Sequence, residues 1–303
     1  MVGVTTFADA FRDLEAAVCL FCEAVRRSSD SSVGILLGTV ASSEIGEDPR
    51  LAHPRDPEPV KAAHSLIRLG HHFVVEQLRT LARLPTLDPP SVFAPYVVTR
   101  SLLDTAGVAY WLAEPGLGAD RRVKRRLLVQ VLEAREQRVP DRDEFAEKIA
   151  ELKGVPERVR EFCAAQGWTF TNGDRPRIDE EERPRRPVLM GEVVDTDKDT
   201  VATGLGATLW WFLSGYTHGG FDALISVLEM NPGSDPTTPN AVIVVNGVRL
   251  VWMIVATARA ARRLTERRTA LFADMSADVE STGHDLDAQL LRYLEAAKAG
   301  RMP

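Results

Sequence analysis

Pro59-Val60-Lys61-Ala62-Ala63-His64-Ser65-Leu66-Ile67-Arg68-Leu69-Gly70-His71-His72-Phe73-Val74-Val75-Glu76-Gln77-Leu78-Arg79-Thr80-Leu81 is the stretch that sets the fold class. Ile67, Val74, Leu78 and Leu81 recur at the spacing of one helix face. Pro59 suits a first helical turn, where its missing N–H costs nothing. The period predicts a helix over 59–84, broken by Pro85, Pro89 and Pro90. The same period extends in both directions. Upstream, Phe7, Phe11, Leu14 and Val18 mark a helix over 6–27, followed by a polar connector over 28–58. Inside that connector, residues 33–37 read equally as a strand or a helical turn.

Downstream, helices are expected over 92–113 and 119–138, then over 142–152 between an Asp141 cap and Gly154, then from Pro156. Residues 167–197 lose the period among prolines and alternating charge, and read as an irregular insert or flap. Asn172-Gly173 favours a tight turn there. Helix returns over 198–230, and a proline-bearing loop covers 231–239. Residues 241–245 have a strand-like composition but are assigned to the helix that continues over 248–280. A last amphipathic helix covers 285–298. The sum is a single all-α domain over 1–303, a multi-helix bundle of seven to nine helices with one irregular Pro- and charge-rich insert.

The chain has 303 residues, 45% hydrophobic and 26% charged, enough to bury a sizeable core. Its net charge of −6 argues against an extended nucleic-acid face, which shows as a basic domain or stripe. No positive head followed by an apolar run opens the sequence. No apolar run reaches the roughly 18 residues of a membrane span. A cytoplasmic protein without membrane contact is expected. Cys19-Leu20-Phe21-Cys22 is a lone CxxC, and a structural zinc site needs two further ligands at matching spacing. Reduced thiols on an apolar helix face are the better reading.

Four groups of residues bear on chemistry. On the 59–84 helix, His64, Arg68, His72 and Glu76 follow at four-residue steps, making His64, His72 and Glu76 metal candidates, with a partly solvated polar face as the alternative. On the 92–113 helix, Arg100, Asp104 and Trp111 lie on one side, and a buried Arg–Asp pair must be well hydrogen-bonded. Trp210-Trp211-Phe212-Leu213-Ser214-Gly215-Tyr216-Thr217-His218-Gly219-Gly220-Phe221-Asp222 puts Ser214, His218 and Asp222 at i, i+4 and i+8 among aromatic rings. His218 titrates near neutrality and is the candidate acid or base, with Asp222 its orienter. Arg121-Arg122-Val123-Lys124-Arg125-Arg126 reads as a solvated face balanced by Glu133, Glu136 and the acidic 179–182 run. Gly204-Leu205-Gly206 lacks the third glycine of a dinucleotide fingerprint.

Two blocks, Thr99-Arg100-Ser101-Leu102-Leu103-Asp104-Thr105-Ala106 and the Ser-x-x-x-His-Gly of 214–219, carry a resemblance. They resemble a group of uncharacterised, mainly bacterial helical proteins, distantly similar to the HEPN (higher eukaryote and prokaryote nucleotide-binding) superfamily. The resemblance implies that Arg100, Asp104 and His218 converge between helices. Catalytic HEPN ribonucleases place Arg-x4-6-His on one helix. Arg68 lies only three and four residues before His71 and His72, and no arginine stands at the right distance before His218.

The expected function is therefore a small-molecule enzyme using acid–base chemistry of cyclase, lyase or isomerase type in an aromatic-lined pocket. His218, Asp222 and Asp104 form its catalytic set. Arg100, Trp111, Trp211, Ser214 and Tyr216 contact the substrate. No cofactor motif appears, so no cofactor is expected, and self-association is. The alternatives are a HEPN-like toxin or defence protein acting on nucleic acid or nucleotides, and a non-catalytic dimeric binding protein.

Overall fold

The computed structural model describes residues 7–31, 37–84, 91, 93–137, 139–195, 204–217, 228–230, 241–243, 247–273 and 277–298. Helix α1 (Phe7–Ser31) leads to two short helices, α2 (Val40–Ile45) and α3 (Asp48–Leu51). Then come α4 (Pro59–Arg83), α5 (Ala94–Leu112) and α6 (Ala119–Glu136). A 3-10 turn at Asp143–Phe145 opens α7 (Ala146–Lys153), and α8 (Val155–Ala165) follows. Strands β1 (Phe170–Thr171), β2 (Arg177–Ile178) and β3 (Glu181–Glu182) precede α9 (Arg186–Val194) and α10 (Leu205–Thr217). The chain continues through β4 (Leu228–Met230), β5 (Ala241–Ile243), α11 (Gly247–Phe272) and α12 (Ala277–Lys298).

Helices dominate, and the long ones fall close to their predicted bounds. α4, α5 and α11 pack against one another, with α1 laid on α4 and α12. α9 and α10 cover the other side of α5, and α6 bridges α4, α8 and β3. Ile67, Val74, Leu78 and Leu81 are all fully buried, as their spacing requires. Cys22 is buried and its thiol donates to the Val75 carbonyl at 3.5 Å, while burial pushes its pKa up to about 12. No helix among the described residues is long and apolar enough to cross a membrane.

Several expectations need correction. The 167–197 stretch holds regular structure where it is described. β1, β2 and β3 form an antiparallel meander with Phe170 opposite Ile178 and Arg177 opposite Glu182, and the Asn172-Gly173 turn lies between its first two strands. Ile178 and Glu181 are buried in it. α9 follows, with Leu189, Met190 and Val193 in the core. Pro187 misled the reading, because in a first helical turn its missing N–H breaks nothing. The segment over 241–245 is not helical at its start. β5 pairs antiparallel with β4, Glu229 opposite Val242, so the 198–230 helix does not run to its expected end. Helix 248–280 ends at Phe272, and the last helix starts earlier than predicted, at Ala277. With α2, α3 and α9 added, the helices exceed seven to nine. The 33–37 question and the 231–239 loop fall wholly or mainly outside the described residues.

Helix ends are held by side chains from elsewhere. Asp48 accepts from Val60 N at 2.7 Å and Lys61 N at 3.2 Å, answering the orphan donors at the start of α4. Asp195, just past α9, accepts from Gly204 N at 3.0 Å and Gly206 N at 3.1 Å and so starts α10. Gly206 is required by a close approach, since a Cβ there would run into the Met190 carbonyl. Gly206→Ala therefore loses stability by about 1–3 kcal/mol through overpacking, despite a helix-propensity gain of at most about 1 kcal/mol. Urea unfolding with an unchanged or raised midpoint would show that α9 and α10 do not meet this closely.

Candidate functional site

The basic run of α6 is internal from Arg122 onward, and Arg121 is exposed. Arg122 is fully buried, and Lys124, Arg125 and Arg126 are nearly so, so the expected solvated face is wrong. The acidic 179–182 run does balance it, from inside: Arg125 pairs with Glu181 at 2.8 Å and Lys124 with Asp179 at 2.8 Å. Arg126 pairs with Asp56. Arg122 donates through Nε at 2.6 Å and Nη2 at 3.0 Å to the two oxygens of Glu44. Arg122 also donates to the Leu112 carbonyl and Arg125 to the Trp111 carbonyl, so both guanidiniums cap the end of α5. Arginine suits this role because its planar fork meets a carboxylate and carbonyls together.

Glu44 also accepts from His64 Nε2 at 2.9 Å. A carboxylate only accepts, so His64 carries its proton on Nε2. Burial lowers the His64 pKa, and the Arg122 charge adds to that. Burial alone would raise the Glu44 pKa, but the hydrogen bonds from His64 and Arg122 outweigh it and hold it at about 2. That depressed value makes the pair's contribution complete above the ordinary carboxylate range and lost as pH falls through about 2.

Arg100 and Ser214 meet across the α5–α10 junction. Arg100 Nε donates to Asp104 Oδ2 at 2.7 Å, and Nη1 donates to Ser214 Oγ at 2.6 Å and to the Trp210 carbonyl at 2.8 Å. Its guanidinium also lies 4.4 Å from the centre of the Trp210 ring. Being almost fully buried, Arg100 spends these donors on protein groups, so it positions Asp104 and α10 rather than meeting a substrate. Arg186 of α9 reaches the same Asp104 oxygen at 3.3 Å and also pairs with Glu136, which Arg183 contacts at 3.3 Å. The second Asp104 oxygen is buried with no hydrogen-bond partner among the described residues. Such a group is uncommon enough to need a reason.

Beside this network opens a cleft of about 160 Å3, lined by Asp104, Glu133, Glu136, Arg183 and Arg186 over an apolar floor that includes Val108 and Leu112. Glu133 makes no ion pair or side-chain hydrogen bond among the described residues. Although its side chain is exposed to water, crowding by protein desolvates its carboxyl and raises its pKa; the Arg183 and Arg186 charges oppose the rise and Glu136 adds to it. A perturbed carboxyl in a cleft marks a candidate proton donor or acceptor. Sequence reading treated Glu133 only as a counter-charge. The available signal was its place one turn before Glu136, with like charges stacked on one helix face.

The other expected residues scatter. Trp111 is buried away from the cleft, with Arg125 4.8 Å over its ring. Trp211 is 67% exposed and stands edge-on to Trp210 at 4.7 Å, so neither ring walls the cleft. His64, His72 and Glu76 do not form a metal face: His64 serves Glu44, His72 is exposed, and Glu76 is half-buried. No group of three such side chains suited to a metal ion occurs among the described residues. His71 faces inward instead, its Nε2 donating to Thr265 Oγ1 at 2.9 Å. His218, Asp222 and the Tyr216 side chain lie outside the described residues.

Glu44→Gln leaves the buried Arg122 charge without its partner, and should lower unfolding free energy by about 3–5 kcal/mol near neutral pH. Denaturant titration showing less than about 1 kcal/mol lost would contradict a buried pair. No family model, curated protein or solved structure matches the chain, and the reading of the site rests on its own residues.

Proposed function

We propose that this chain is a small-molecule enzyme using acid–base chemistry of the cyclase, lyase or isomerase type, with its reacting groups gathered where α5 meets α6, α9 and α10. The observation that supports this most is Asp104. One of its oxygens is held by Arg100 and Arg186, the other is buried without a partner, and the residue lines a cleft shared with the unpaired Glu133. Positioned charge beside a carboxyl that can give or take a proton is what proton transfer needs. In this reading His218, one helical step beyond Ser214 in sequence, gives or takes the proton, and Asp222 and Asp104 orient it. Arg186, half-exposed at the cleft, replaces Arg100 as the anchor for an anionic substrate group.

One observation favours a second reading, a non-catalytic homodimeric binding protein: Trp211 offers a large apolar surface to solvent. The HEPN-like alternative draws no support from the 121–126 run, whose cations Arg122, Lys124, Arg125 and Arg126 are buried and whose exposed Arg121 is paired with Glu181.

Small molecules retained by the purified protein from a metabolite extract, identified by mass spectrometry after denaturation, give the test. The wild type should retain a compound and convert it to a product at least about a hundredfold faster than Asp104→Asn or His218→Ala, the usual weight of acid–base groups. Equal retention and equal conversion by all three proteins would remove the enzymatic reading.

A further inference from the structure

A second cleft, of about 400 Å3, lies on the other side of α6, between α7, α8 and the His53–Asp56 turn. That volume falls in the range of small-molecule sites. Its floor is apolar: Leu127, Val159 and Phe162 are each nearly fully buried. Phe162 is backed by Trp168 at 6.0 Å and flanked by His53 at 5.5 Å between ring centres. The floor is therefore rigid and suited to a hydrocarbon or aromatic body.

The charges around it mostly cancel in pairs. Arg126 is taken by Asp56, Arg55 by Glu161 at 2.6 Å, and Lys148 by Glu151 at 2.8 Å. Two lining groups are left over. Arg158 of α8 donates to the Glu151 carbonyl at 3.1 Å but has no carboxylate partner among the described residues. Glu133, at the junction with the smaller cleft, has no cation paired to it. A half-buried guanidinium and a crowded carboxyl, neither in a direct ion pair among the described residues and both lining one apolar floor, complement a molecule that carries both charges.

We propose that this cleft binds a small amphoteric molecule of the amino-acid class, with its carboxylate on Arg158, its ammonium on Glu133 and an apolar side chain over Leu127, Val159 and Phe162. The raised pKa of Glu133 agrees with this, because crowding by protein weakens the hydration of its carboxylate and an incoming ammonium would favour the charged form. Asp104 lies outside this cleft, so the site stands whether or not the chemistry proposed at Asp104 does.

Calorimetric titration of the full chain with phenylalanine, phenylpropionate and phenethylamine separates the two charge contacts. The wild type should bind phenylalanine saturably and each single-charge analogue at least tenfold more weakly. Arg158→Ala should weaken phenylalanine at least tenfold and leave phenethylamine unchanged. Glu133→Gln should do the reverse, weakening phenylalanine and leaving phenylpropionate unchanged. Asp104→Asn should bind like the wild type, which keeps a failure here distinct from a failure of the proposed chemistry. Both cleft substitutions are at solvent-accessible positions, and circular dichroism confirms that each variant is folded. Absence of phenylalanine binding to the wild type, or phenylalanine affinities in Arg158→Ala and Glu133→Gln equal to the wild type's, would overturn the proposal.

Discussion

A guanidinium taken out of water must find a counter-charge and acceptors, and this requirement organises the molecule. Leaving one unpaired inside costs several kcal/mol. Arg122, fully buried, reaches Glu44 on α2 and two carbonyls beyond the end of α5. Arg125 ties the same helix end to β3 through Glu181. Arg100 ties α5 to α10. Arg263 on α11 donates to the Glu192 and Asp195 carbonyls and to the Tyr110 hydroxyl, binding α11 to the end of α9 and to α5. Several of these contacts join segments far apart in sequence, and those of Arg122, Arg125 and Arg263 also meet the carbonyls where α5 and α9 stop.

The candidate site follows from the same requirement. Asp104 and Glu136 are held by arginines from α5, from α9 and from the connector before α9, which leaves Glu133 as the carboxyl in that row without a direct ion pair among the described residues. Fixed ion pairs surround it, so its proton affinity is set by what lacks a partner. Such a carboxyl is available for a ligand or a proton, whereas Glu44, held by two donors, is not.

The apolar period of α1, α4 and α5 was plain in the sequence because one face of each is buried and spaced at helical intervals. The Arg100–Asp104 pair was also readable, as charges four residues apart on a strongly apolar helix, whereas the contact of Arg100 with Ser214 was not. The role of α6 was not. A run of arginines reads as solvated by default, and its partners Glu44, Asp56 and Glu181 come from three distant segments. The signal present was Leu127-Leu128-Val129 directly after the run, which leaves no polar stripe for water. α9 was hidden by Pro187 at its first turn, and β5 by a partner strand that carries no pattern of its own. Glu133 could not be recognised from composition, since its environment is defined by what other elements fail to supply.

Site-resolved carboxyl NMR across an acid titration tests this account most directly. Glu44 should keep its charge down to about pH 2, and Glu133 should gain its proton above the ordinary value of 4.5. Both carboxyls titrating together near 4.5 would mean that neither the buried pair nor the unpartnered cleft group exists as described.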